Sequence, residues 1–76
     1  MKQLVEMIAK ELVDYPDQVS VEEIHNERDI NLILSVASED IGKVIGKGGK
    51  IIKAIRNVVK AGSISKNKKY ILEIKE

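Results

Sequence analysis

Residues 41–52 read Ile41-Gly42-Lys43-Val44-Ile45-Gly46-Lys47-Gly48-Gly49-Lys50-Ile51-Ile52. Four glycines, at 42, 46, 48 and 49, fall within eight residues between two apolar runs. A helix interior disfavours glycine by ~1 kcal/mol relative to alanine, so such a cluster requires a reason. Glycines permit a sharp helix-to-helix turn and remove side chains that would hold a ligand away. The turn also leads into the start of a second helix, where unpaired amides and the positive dipole end favour a phosphate oxygen. Lys47 and Lys50 add full positive charges beside those amides. Every part of the loop points toward an anion.

The remaining elements follow outward from this loop. Ile41, Val44 and Ile45 give a short apolar helical face before it, which Ser38 is placed to cap. Glu39 and Asp40 stand where a helix dipole favours negative charge. After the loop, Ile51, Ile52, Ile55, Val58 and Val59 predict a helix from about Gly49 or Lys50, with Gly62 placed to end it. Upstream, Ile30, Leu32, Leu34 and Val36 alternate as a strand, and Val19 and Val21 mark a weaker one over about 18–25. Leu4, Val5, Ile8, Leu12 and Val13 predict a first helix ending near Asp14, ahead of Pro16. Downstream, polar residues 63–69 form a loop, and Tyr70, Leu72 and Ile74 mark a last strand. The predicted order is helix, strand, strand, helix, helix, strand, an α+β fold with the helices on one face of a three-stranded sheet.

Elimination narrows the anion. A Walker loop needs four residues between its first glycine and Gly-Lys, then a hydroxyl residue. Here three residues separate Gly42 from Gly46-Lys47, and Gly48 occupies the hydroxyl position. The loop also follows a helix, whereas a nucleotide-binding loop follows a strand. The dinucleotide fingerprint fails on spacing and context. A helix–GxxG–helix unit instead suits the backbone of a single-stranded nucleic acid.

The segment Val44–Ile52, two aliphatics, GxxG with a lysine inside, then aliphatics opening a helix, resembles the signature of the KH family. The resemblance covers the whole chain, 1–76, as one KH domain with its minimal core at about 29–75. The extra helix and strand lie N-terminal to that core, as in the type II arrangement common in bacteria. By this resemblance Gly46, Lys47, Gly48 and Gly49 clamp the phosphates, with Lys43, Lys50, Lys53 and Arg56 as neighbouring cations. Ile41, Val44, Ile45 and Ile52 floor a groove for about four bases, and the strand Ile30–Val36 forms its opposite wall. The implied function is single-stranded RNA binding, as an RNA chaperone or post-transcriptional regulator linked to cell-shape and cell-wall homeostasis. The implied partners are RNA, a second copy of the chain, or a larger KH-containing protein.

Composition sets the bounds. The net charge of +1 hides a division: residues 1–40 carry three basic and ten acidic side chains, residues 41–76 ten basic and two acidic. That predicts one electropositive face, although scattered solvated charge is the commoner outcome of such a count. Tyr15 and Tyr70 are the only aromatics, so an aromatic stacking platform is excluded as the main mode of base binding. There is no cysteine, and His25 is the lone histidine, a surface strand residue with no ligand set around it. No nucleophile–base constellation exists, so no enzyme, metal or cofactor is expected. No stretch suggests membrane insertion or a signal peptide, which leaves a cytoplasmic protein as the expectation. Lys53, Arg56 and Lys60 recur at helical spacing and extend a phosphate track or simply keep the helix soluble; Lys66, Lys68 and Lys69 read as solvated loop. Ile33, Ile64 and Ile71 fall on outer faces and offer a patch for subunit pairing. The competing function is therefore an oligomerisation or adaptor module with weak nucleic-acid contact.

Overall fold

The computed structural model describes residues 1–46, 49–66 and 68–75, with the side chains of 64–66 left out. Helix α1 spans Lys2–Leu12 and buries Val5 and Ala9, one turn apart on its inner face. An exposed Glu6–Lys10 pair at 3.0 Å adds a few tenths of a kcal/mol. The helix stops two residues short of Asp14, and Pro16 opens a single 3₁₀ turn, Pro16–Gln18. Strands β1 (Ser20–His25) and β2 (Asp29–Ser35) form an antiparallel hairpin, Val21 facing Leu34 and His25 facing Ile30. Its turn is closed by Asn26, whose N–H donates to the Asp29 carbonyl at 2.8 Å and whose side-chain amide donates to Asp29 Oδ1 at 2.8 Å.

Helix α2 covers Ser38–Ile45 and α3 Lys50–Lys66; β3 is Lys69–Lys75. The sheet order is β1-β2-β3, and β3 lies parallel to β2 with Leu32 facing Leu72. The order of elements and the α+β architecture are those the sequence predicts. The core is the inward row of β2 (Ile30, Leu32, Leu34) packed against Val5 and Ala9 of α1, Val44 of α2, and Ile52, Ile55 and Val59 of α3. Among the described residues no helix covers the other sheet face: Ile24, Asn31 and Ile71 lie side by side across it, and Ile33 sits between Glu22 and Glu73.

Two expectations require correction. Ser38 does not cap α2: Ala37 holds the cap position, and Ser38, already helical, donates instead to Glu39 Oε1 at 2.7 Å. Gly62 does not end α3, which runs on to Lys66. A Cβ at Gly62 would meet the Met1 side chain, so the missing side chain makes room for the N-terminal residue across the α1–α3 contact. The last turn of α3 is tied down at Ser63. Ser63 Oγ donates to the Val59 carbonyl at 3.1 Å and accepts the Tyr70 N–H at 3.0 Å, pinning β3 to α3.

Leu32 is fully buried at the centre of the sheet. Leu32→Ala is expected to cost about 3 kcal/mol, a large share of the stability of so small a domain, and urea unfolding will show it as a lowered midpoint.

Candidate nucleic-acid interface

Helix α2 presents three different surfaces. Val44 and Asp40 are fully buried. Lys43, on an exposed flank, reaches Asp14 Oδ1 at 3.0 Å and is tied to the segment that follows α1. On the remaining side stand Ser38, Ile41, Gly42 and Ile45. Ile45 is 44% exposed, unusually open for an isoleucine, and a Cβ at Gly42 would meet no atom of the described residues within 4 Å. Packing therefore does not account for a glycine at 42. It leaves a smooth, open stretch of helix.

The helix ends at Gly46, whose N–H donates to the Gly42 carbonyl at 2.7 Å. A Cβ at Gly46 would overlap that same carbonyl oxygen, so the turn excludes a side chain there. Gly49 N–H donates to the Gly46 carbonyl at 2.9 Å, and Gly49 has φ +64°, the left-handed region that glycine adopts without penalty. Gly49 is also buried, with its missing Cβ 3.1 Å from Ile52 Cγ2. The flanking glycines thus build a tight reversal between two helices. Lys47 and Gly48, the central pair of the expected clamp, lie outside the described residues.

Beside the reversal lies a groove of about 530 Å³ lined by Ile45, Ile52, Arg56, Leu72, Glu73 and Ile74. A second hollow of about 280 Å³ is lined by Ser35 at the end of β2, Val36 after it, Ser38 and Ile41 of α2, and Lys75 of β3. Both hollows, here called the cleft, lie between residues of α2 and residues of β3, with Ile52 and Arg56 of α3 lining the first and the end of β2 the second. The Ser38 hydroxyl, and then a backbone hydrogen bond at Glu39, hold the Glu39 carboxyl below the usual carboxylate value at this lower end. A third hollow, of about 380 Å³ along Gln3, Glu6, Met7 and Lys10, is lined by α1 alone and lacks an opposing wall.

The opposite wall is a correction. Strand β2 was expected there, but only its end, Ser35, with Val36 beyond it, lines the second hollow, and as the central strand it commits its backbone groups to β1 and β3. Strand β3 is at the sheet edge, so its alternate N–H and C=O groups point outward, unpaired by any strand. Such groups can bind base edges; those of β2 cannot.

Of the other expected residues, Ile41, Ile45, Ile52 and Arg56 border the cleft. Val44 supports the floor from beneath. Lys50 and Lys53 are exposed near the start of α3, and Lys43 is engaged with Asp14. Leu72, Glu73 and Ile74 were missed, because strand order is not written in local pattern. Asp40 stands in the first turn of α2 as expected, but its second role was missed: it is fully buried and accepts the N–H groups of Asp14 and Tyr15, each at 3.0 Å. Its place one turn before Val44, in the buried stripe of α2, was the available signal. Among the described residues no group of three or more His, Cys, Asp or Glu could hold a metal ion, and no helix is long and apolar enough to cross a membrane.

Residues 2–74 match the family model described as KhpA/KhpB, KH domain. The chain is 58% identical over 74 residues to the RNA-binding protein KhpA of Clostridium acetobutylicum, covering 97% of this chain and 99% of that one. It is 60% identical to the protein of the same name from Clostridium perfringens, with the same coverage. Against that of Aquifex aeolicus it is 43% identical over 76 residues, 100% of this chain and 96% of that one. No solved structure matches.

Gly42, inside α2, and Gly46, its C-cap, make opposite predictions for stability. Gly42→Ala, entering open space inside a helix, is expected to stabilise by up to ~1 kcal/mol. Gly46→Ala, driven against a carbonyl, is expected to destabilise by about 1–3 kcal/mol. Urea midpoints of the two variants will move in opposite directions.

Proposed function

The chain belongs to the KhpA/KhpB KH-domain family, and from that premise we propose that it binds single-stranded RNA in the cleft between α2 and β3. The backbone of the strand docks on the reversal Gly46–Gly49, with Lys47 and Lys50 neutralising phosphates. Bases lie across Ile41, Ile45 and Ile52, and their edges meet the free edge of β3. The observation that carries this reading is the apolar groove of about 530 Å³ between a glycine-rich helix end and an unpaired strand edge. The open space over Gly42 lets a ribose or base approach the helix backbone directly. Relatives named RNA-binding proteins support RNA over single-stranded DNA.

Arg56 at the groove and Lys53 beside it on the exposed side of α3 continue the cationic track. Recognition through backbone groups and aliphatic contacts, without aromatic stacking, gives modest sequence preference. Such a mode suits an RNA chaperone or post-transcriptional regulator acting in the bacterial cytoplasm on many transcripts. A link to cell-shape and cell-wall homeostasis follows from the family resemblance alone.

A second reading, as an oligomerisation or adaptor module, is favoured by the bare sheet face. Ile24 is 39% exposed there, with Ile33 and Ile71 part-exposed beside it, whereas the side chain of Ile64 lies outside the described residues. The partner is a second copy or a KhpB-like protein.

Fluorescence anisotropy on short single-stranded RNA separates these readings. A Lys47→Asp/Gly48→Asp double variant should lose binding while keeping its helical circular dichroism. Equal affinity for both proteins removes the clamp. For the wild type, log affinity should fall against log salt with a slope of about −0.7 per phosphate neutralised. Light scattering that shows a tight dimer alongside a flat RNA titration identifies the adaptor instead.

A further inference from the structure

Residues of helix α2 line both hollows of the cleft, yet the helix is only eight residues long. Its principal packing partner is α3, against which Val44 is buried. Packing on α3 leaves the N-terminal half of α2 to be held from elsewhere. Asp40 supplies that hold. Its side chain is 0% exposed, and its two oxygens accept one backbone N–H each, from Asp14 and Tyr15, both at 3.0 Å. These donors lie 26 and 25 residues earlier in the chain, where α1 has ended and the link to β1 begins. The Lys43–Asp14 ion pair at 3.0 Å joins the same two segments at the surface.

We propose that Asp40 is a positioning residue for RNA binding: its buried carboxylate locks α2 to the segment after α1 and so sets the distance between α2 and the β3 edge. This rests on the cleft being the RNA site. Asp40 has no exposed surface, so it cannot touch RNA, and any effect it has must pass through the placement of α2. A cleft wall a few tenths of an ångström out of place misaligns phosphate and base contacts together. The donor pattern also demands a carboxylate. An asparagine offers one carbonyl oxygen, and its NH₂ would confront the second backbone N–H, donor against donor.

The sign of the effect distinguishes positioning from simple electrostatics. Removing a negative charge near a polyanion site strengthens binding if charge alone acts. Loss of the lock weakens it. Asp40→Asn and Asp40→Glu are compared with the wild type by anisotropy on labelled single-stranded RNA of random sequence, at a temperature where urea titration shows each protein folded. Both variants should bind about tenfold more weakly, within the usual range of coupling between linked sites. The aspartate-to-glutamate change keeps the charge, so its loss reports geometry. A readout on the wild type needs no variant. Linkage requires RNA to tighten the lock, so amide exchange at Asp14 and Tyr15 should slow on RNA addition more than exchange in the β1–β2 ladder. If Asp40→Asn does not fold, this measurement decides. Wild-type binding with unchanged affinity in folded variants, or with no selective slowing at those two amides, overturns the role of Asp40 alone. Failure of the wild type to bind RNA overturns the RNA reading, and the role of Asp40 with it.

Discussion

Parallel pairing between β2 and β3 is the constraint from which the molecule follows. Antiparallel neighbours need only a tight turn, but a parallel partner requires the chain to return the length of the sheet before the next strand begins. A seven-residue strand is about 23 Å long, and the 17 residues of α3 cover about 25 Å. Helix α3 alone therefore completes the crossover. Helix α2 is surplus to that requirement, and its connection to α3 must reverse sharply at Gly46–Gly49. A short helix left beside an edge strand makes the cleft. The geometry of the cleft is a by-product of how the sheet is closed.

Much of this is written in the local pattern. The alternation Ile30, Leu32, Leu34 is the inward row of the central strand, and the glycine cluster marks the reversal. What escapes is set by neighbours distant in sequence. Whether β2 or β3 borders the cleft depends on strand order, to which period-two alternation is blind. Gly62 carries every mark of a helix terminator, yet its role is to receive Met1, 61 positions away. Asp40 looks like an ordinary acidic residue in a first helical turn. Only the fold brings the amides of Asp14 and Tyr15 to it.

The charge division along the chain also acquires a spatial meaning. Part of the acidic half is consumed internally: Asp40 is buried, and Asp14 faces Lys43. The basic residues of α3, Lys50, Lys53, Arg56 and Lys60, remain exposed. Arg56 stands at the groove, and five of the ten basic residues of the second half (Lys50, Lys53, Arg56, Lys60 and Lys66) belong to the helix that follows the reversal.

The open edge of β3 carries a hazard as well as an opportunity. An unpaired strand rich in Tyr70, Ile71, Leu72 and Ile74 is a template on which another chain can add a strand, the first step toward sheet-like aggregates. Lysines at both ends, Lys69 and Lys75, and Glu73 between them act as gatekeepers, because a second copy laid alongside would bring like charges together. A flexible polyanion meets no such barrier from the lysines. The edge is protected against its own kind while staying open to a nucleic acid.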